Sequence, residues 1–243
     1  LCPSRRRFAV FHENSIGLQM TIVESRDGVT LAGGAPFSAR LLTLARAHAP
    51  EIVAADGGAD RLLRLGVRPR AVIGDLDSIT AAARAQLAGR LFPITEQETT
   101  DFDKALRSVA APFVLALGFQ GARLDHGLAV LNALVRHPGR RALVLGARDV
   151  TFLAPPELEL ELPPRSRLSL FPMAPVRGTS EGLRWPIDGL HFAPDAMIGT
   201  SNEVSARRVR LSFDAPAMLV ILPLRQLPAV LRSLSLPSPA HGK

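Results

Sequence analysis

The chain has 243 residues, of which 47% are hydrophobic and 21% charged, the make-up of a globular protein with one large domain or two smaller ones. A net charge of +7 invites an anionic partner, but the arginines are scattered among Ala and Leu, as in "DRLLRLGVRPR" and "LVRHPGRRALV". That pattern reads as solvated helix faces rather than a nucleic-acid stripe. With no Tyr, one Trp, one Cys and no Cys/His cluster, the chain has no stacking platforms for single strands, no intrachain disulfide and no zinc-ligand spacing. No apolar run reaches the roughly 18 residues of a membrane span. A cytoplasmic protein with neither a nucleic-acid nor a membrane partner is expected.

In chain order, "LCPSRRRFAVFHENSIGLQ" lacks the apolar core and cleavage site of a secretory signal. Residues 1–19 are expected to be a disordered or non-native leader, with the working chain starting near Met20. From Thr21 to about Ala147, short β-branched or Leu-rich runs alternate with helical patterns. Strands are predicted at "GVTLAGG", "EIVAAD", "AVIGD", "LFPIT", "FVLALGF" and "RALVLGA", with helices over 37–48, 58–65, 79–88, 101–110 and 124–136. Beyond residue 150, "FLAPPELELELPPRSRLSLFPM", "VRGTSEGLRW" and "RVRLSFDAPAMLVILPL" read as antiparallel strands, followed by a short helix at "PAVLRSL". The expected architecture is an α/β domain over 20–149 with a mostly parallel, Rossmann-like, doubly wound sheet. A smaller all-β sandwich over 150–231 and a tail over 232–243, disordered at "LPSPAHGK", follow.

The strand ends gather Gly, Asp and Thr at the carboxyl edge of the sheet, where open α/β sheets bind ligands. In "AVIGDLDSIT", continued extension would set Asp75 and Asp77 on one side, about 7 Å apart at Cα, and such a pair repels unless a hard divalent ion such as Mg²⁺ lies between. Asp77 or Ser78 capping a helix near Ile79 is the alternative, and it leaves Asp75 unexplained. In "QETTDFDKAL", Thr100 and Asp101 stand at a helix entry, with Asp103 two residues on and Lys104 on the face of Asp101. A third carboxylate for the ion and a point charge for phosphate fit there; a capped helix with dipole-compensating acids fits as well. In "LGFQGARLDHGL", Gly118 and Gly121 allow close backbone approach before Arg123, Asp125 and His126, an anion-binding combination whose alternative is a cap and a packed histidine. "ADGGADRL", with Asp56, Gly57 and Gly58, and "LAGG", with Gly33 and Gly34, repeat the theme. Neither a Walker A loop nor a G-x-G-x-x-G fingerprint occurs. All these elements fall on one sheet edge, and together they suit a Mg-bound polyphosphate.

Taken in order, "ADGGADRLLRLGVRPRAVIGDLDSI", "TTDFDKAL", "GARLDH", "GLRWPI" and "TSNEV" resemble the thiamine pyrophosphokinase family, over about Gly33 to Val220. The resemblance implies transfer of a pyrophosphoryl group from the co-substrate ATP to the hydroxyethyl group of thiamine, giving thiamine diphosphate and AMP. It also implies a Mg²⁺ site at Asp75, Asp77 and Asp101. Gln97, Thr100, Lys104, Arg123 and Asp125 would surround the phosphates, with Gly34, Asp56, Gly57, Gly58, Gly118 and Gly121 in the nucleotide loops. Asp101 and Asp125 are the two candidates to accept the hydroxyl proton. A homodimer is implied, with thiamine near the interface against Trp185, Ser201 and Asn202; a single Trp in an aromatic-poor chain fits a cationic thiazolium. Ala122 stands where the family commonly has a second glycine. The competing readings are a pyrophosphokinase acting on another primary alcohol, such as a hydroxymethyl pterin, and a non-catalytic nucleotide-binding module.

Overall fold

The structure, a computed structural model, describes residues 11–12, 19–121 and 123–236. The predicted alternation is present as β1 (Val29–Ala32), α1 (Ala39–His48), β2 (Glu51–Ala55), α2 (Gly58–Arg64), β3 (Ala71–Gly74), α3 (Ala81–Gln86), β4 (Leu91–Pro93), α4 (Asp101–Arg107), β5 (Val114–Leu117), α5 (Leu124–Arg136) and β6 (Ala142–Leu145). The all-strand region follows as β7 (Asp149–Leu153), β8 (Glu157–Glu161), β9 (Arg167–Pro172), β10 (Val176–Glu181), β11 (His191–Phe192), β12 (Gly199–Glu203), β13 (Arg208–Phe213) and β14 (Met218–Pro223), closed by α6 (Leu227–Ser233). Two-residue ladders join Phe11–His12 to Gln19–Met20 and Val23–Glu24 to Val109–Ala110.

The strands β1, β3, β5 and β6 are buried along their whole length and apolar but for Thr30 of β1, whose hydroxyl donates to the Ala49 carbonyl at 2.6 Å, as strands covered on both faces must be. Successive residues serve opposite layers. Leu31, Val53 and Ile73 pack with Phe102, Leu106 and Leu134 of α4 and α5, whereas Ala32, Ala54 and Val72 pack with Leu42, Leu62 and Ala83 of α1 to α3. In spatial order the main sheet reads β12-β9-β14-β7-β6-β5-β1-β2-β3-β4. From β6 to β4 the pairing is parallel. The chain steps outward from β1 to β4, then returns to lay β5 and β6 on the other side of β1. The carboxyl ends of β1 and β5 therefore flank a crevice where the winding reverses.

Sequence patterning indicates a separate sandwich after residue 149, but the sheet is continuous across that point. β7 pairs antiparallel with β6, Leu143 facing Phe152, and β14, β9 and β12 extend the same sheet. The physical reason is that β6 would otherwise be an open edge, and a short turn lets β7 satisfy its backbone groups. Only β8, β13, β10 and β11 form the second layer. The alternation in "ELELE" is real, with Leu158 and Leu160 buried and the glutamates exposed. Helix α6 crosses the expected 231/232 boundary, burying Leu227, Val230 and Leu231. The rest of the expected tail, residues 237–243, lies outside the described residues, as do 1–10 and 13–18 of the expected leader and Ala122.

Candidate active site

Three segments at the carboxyl edge deliver acids to one place. Asp56 follows β2 with φ +41°, and its amide donates to the Ile73 carbonyl at 3.0 Å. β3 ends at Gly74, where a Cβ would stand 2.9 Å from Asp101 Oδ1 and 3.1 Å from the Asp56 Cβ, so glycine is what lets the two acids close over the strand end. Asp101 opens α4 and accepts the Asp75 amide at 3.3 Å. Carboxylate oxygens of Asp56, Asp75 and Asp101 all lie within 4.8 Å of one another.

The extended arrangement expected of Asp75 and Asp77 is not formed. Leu76 takes φ +65°, a genuine outlier for a bulky residue, because its side chain turns into the core and leaves the flanking acids outside. The Asp77 amide donates to Asp75 Oδ1 at 3.3 Å, and Asp77 Oδ1 accepts the Ser78 hydroxyl at 2.8 Å. Asp77 thus shares the pocket wall, while Asp56 stands in the close trio with Asp75 and Asp101. Helix capping does not account for these acids. Thr80 caps α3 and Thr100 caps α4, accepting the Ala83 and Asp103 amides at 3.2 and 3.4 Å.

Lys104 reaches the trio from α4, its side chain 2% exposed, with Nζ 3.4 Å from Asp101 Oδ1 and 3.5 Å from Asp75 Oδ2. Burial pushes the Asp56 carboxyl up from its ordinary value, and burial followed by the Asp75 charge does the same to Asp101. Burial also pushes on Asp75, but the Asp77 amide and Lys104 outweigh it and hold that group low. Asp103, two residues from Asp101, faces away: it is buried against His137 and Arg136, at 3.0 and 2.7 Å, and joins α4 to α5.

The trio sits in a cavity of about 530 Å³. Of the predicted residues, Gly34, Gly57, Gln97, Thr100, Gly118 and Arg123 line it together with the acids and Lys104. Gly58, Gly121 and Asp125 do not. Arg123 is turned onto Asp125, its Nε donating to Oδ1 at 3.1 Å, with both side chains largely exposed. His126, Ser78, Thr99 and Phe119 also contribute to the wall. Phe119 closes against Phe102 edge to face at 4.8 Å, a role invisible in a residue read only as part of a strand end.

Trp185, Ser201 and Asn202 meet elsewhere, in the strand-rich half. The Trp185 amide donates to Asn202 Oδ1 at 3.3 Å, and Asn202 Nδ2 returns a bond to the Trp185 carbonyl at 2.7 Å. Asn202 is buried, while Trp185 is 53% exposed with the Arg184 guanidinium 4.9 Å from its ring centroid. Ser201 adopts φ +61° and donates its amide to the Ser169 hydroxyl at 3.0 Å. Asp56, Leu76 and Ser201 thus place non-glycine residues at positive φ beside candidate site groups, where strained backbone tends to cluster.

Fold and pocket define an α/β protein with an acidic, glycine-walled cavity at the carboxyl edge of its parallel strands. Residues 43–144 match the family model for the catalytic domain of thiamin pyrophosphokinase, and residues 157–218 match that for its vitamin B1 binding domain. The chain is 27% identical over 207 residues to thiamine pyrophosphokinase 1 of Oryza sativa subsp. japonica, covering 70% of this chain and 77% of the relative. It is 25% identical over 182 residues to thiamine pyrophosphokinase of Bacillus subtilis, covering 70% and 85%. Among solved structures, a Lactobacillus plantarum protein superposes with a TM-score of 0.69 at 27% identity, covering 81% of this chain and 98% of that one. Thiamin pyrophosphokinase from Candida albicans superposes with a TM-score of 0.70, covering 90% and 100%; at 15% identity this likeness speaks for the fold alone. This chain belongs to the thiamin pyrophosphokinase family.

Proposed function

We propose that the protein is a thiamine diphosphokinase, moving the pyrophosphoryl group of ATP to the hydroxyethyl group of thiamine and releasing AMP. The observation that carries this reading is the buried trio of Asp56, Asp75 and Asp101 closed by Lys104, in a chain of this family. Three carboxylates facing one ammonium leave an excess of negative charge, and Asp56 Oδ1 is buried without a hydrogen-bond partner. Such a set of hard oxygen donors fits a divalent cation such as Mg²⁺. Asp56, Asp75 and Asp101 would hold it, with Asp77 beside them; when bound it neutralises phosphate charge.

The chain's own groups do the rest. Lys104 offers a fixed positive charge to the transferred phosphates, and Arg123 is available to them by release from Asp125. The thiamine oxygen forms its bond to the β-phosphorus while the bond from that phosphorus to the α-phosphate oxygen breaks, the electron pair leaving with AMP. With a loose transition state no dedicated base is needed, and the hydroxyl proton passes to water. Asp125 is held low by Arg123, which makes it the poorer of the two carboxylates considered as acceptors.

Metal binding must compete with protons on Asp56 and Asp101, whose carboxyls are raised. As pH falls from neutrality these groups protonate earlier than ordinary aspartates, so Mg²⁺ dependence should steepen on the acid side. Initial rates at several Mg²⁺ concentrations across pH check this: the apparent Mg²⁺ constant is expected to rise before free carboxylates titrate.

We read the α/β half as a doubly wound, Rossmann-like catalytic unit, because the strand order reverses beside β1 and helices cover both faces. The strand-rich half is the thiamine-binding and dimerisation unit. Trp185, Ser201 and Asn202 do not line the acidic cavity, so a second copy would bring its own set to the pocket in a homodimer. Trp185 already carries a cation over its ring, the contact a thiazolium requires. Trp185→Ala should raise KM for thiamine about tenfold with little change in kcat. Competition between thiamine and a hydroxymethyl pterin as acceptors tests the assignment: thiamine alone should take the pyrophosphoryl group, and transfer to the pterin would overturn it.

A further inference from the structure

We propose that Glu96 is a positioning residue for the transfer: from outside the acidic cavity, its carboxylate holds the β4–α4 loop in the shape that sets Gln97 and Thr99 at the cavity wall. This rests on the thiamine diphosphokinase reading and deepens it, because the wall so held faces the groups assigned to the metal and the phosphates.

The loop between β4 and α4 has little else to fix it. It is tied at its ends, where the Ile94 amide donates to the Gly74 carbonyl at 2.7 Å and Thr100 caps α4. Among the described residues no backbone-to-backbone hydrogen bond involves residues 95–99, and none of residues 95–100 is buried. Neither a ladder nor apolar packing gives this segment its shape, so the entropy of ordering it must be offset by side-chain bonds. Glu96 supplies them. Its Oε2 accepts the Glu98 amide at 2.8 Å and the Thr99 amide at 3.1 Å, and its Oε1 accepts the Thr99 hydroxyl and Nη2 of Arg107. A carboxylate offers about four acceptor positions, and here all are taken. Burial pushes the Glu96 carboxyl up, but the Thr99 hydroxyl, the two amides and Arg107 outweigh it and hold it low.

What this clasp places lies on the other side of the loop. Glu96 does not line the cavity, whereas Gln97, Thr99 and Thr100 do. Gln97 Nε2 lies 3.4 Å from the Thr95 carbonyl, within the same loop. Asp75, raised by burial, is held low by the Asp77 amide, by Lys104 and by a side-chain hydrogen bond from Gln97. A chain of contacts therefore runs from Glu96 through the loop to the acidic trio. Arg107 adds a second connection, since it closes the helix that carries Asp101 and Lys104 and thereby couples that helix to the loop. Groups that orient metal-binding carboxylates from outside matter nearly as much as the ligands.

The test combines steady-state kinetics with amide hydrogen exchange at Glu98 and Thr99, read by NMR. It uses the wild type, Glu96→Ala, Glu96→Gln, Gln97→Ala and the double variant Glu96→Ala with Gln97→Ala. In Glu96→Ala both amides should exchange about tenfold faster, and kcat/KM for ATP should fall about tenfold, the scale of a lost outer partner. Glu96→Gln keeps an oxygen for the two amides and should recover most of both effects. In the Gln97→Ala background, Glu96→Ala should cost about twofold or less, because it acts through that residue. Unchanged exchange in Glu96→Ala, a Gln variant as impaired as the Ala variant, or costs that multiply in the double variant would each overturn the positioning role. A wild type that makes no thiamine diphosphate sinks the functional reading instead; faster exchange in Glu96→Ala would still show the clasp and so separates the two failures.

Discussion

Asp101→Asn should lower kcat by about 10³-fold or more while leaving the protein at least as stable as the wild type. The carboxylate is raised by burial and by the Asp75 charge, so neutralising it relieves repulsion in the metal-free protein. Lys104 keeps Asp75 at 3.5 Å, and Thr100 still caps α4. Loss of activity with an unchanged or higher melting temperature is the signature of a site whose charges are arranged for a ligand rather than for the fold. The check is steady-state rates at saturating ATP and thiamine beside a thermal melt without metal. Near-normal turnover would remove Asp101 from the metal set.

Asp103→Ala should do the reverse, costing about 3 kcal/mol of stability, the lower end for a broken buried pair because Arg136 is half exposed. Burial raises the Asp103 carboxyl, but the His137 hydrogen bond and the charges of His137 and Arg136 outweigh it and the net shift is downward. A carboxyl lowered in the folded state contributes stability above its unfolded value and loses it as pH falls through the folded one. The wild type should therefore lose stability on the acid side through this group, and the variant should lack that part of the slope. Urea unfolding at neutral and acid pH measures both; a variant with wild-type stability would contradict the account.

These two aspartates show what the sequence made legible and what it did not. "TTDFDKAL" identifies a capped helix start with two acids, and residues two apart on a helix do not share a face. Which face meets the pocket depends on where β3 ends, and that is a tertiary fact. Lys104 was legible because three residues from Asp101 is one turn. In the sequence Asp56 stands only as a nucleotide-loop residue; its place beside Asp75 and Asp101 arises from Gly74 opening the strand end, which only the pairing of β2 with β3 makes visible. The side-by-side placement of Asp75 and Asp77 failed because the core claims Leu76, and burial of one leucine outweighed a continued strand. Strands and helices were legible in order and type because their periodicities are strong. Their assembly into one sheet was not, since an edge strand's partner is chosen by unpaired backbone groups that leave no mark on composition.

The measurement that bears most directly on the central claim is identification of the products formed from ATP, Mg²⁺ and thiamine, with an EDTA control. The account predicts thiamine diphosphate and AMP in equal amounts, both lost with EDTA. Thiamine monophosphate with ADP, or product formation indifferent to EDTA, would contradict it.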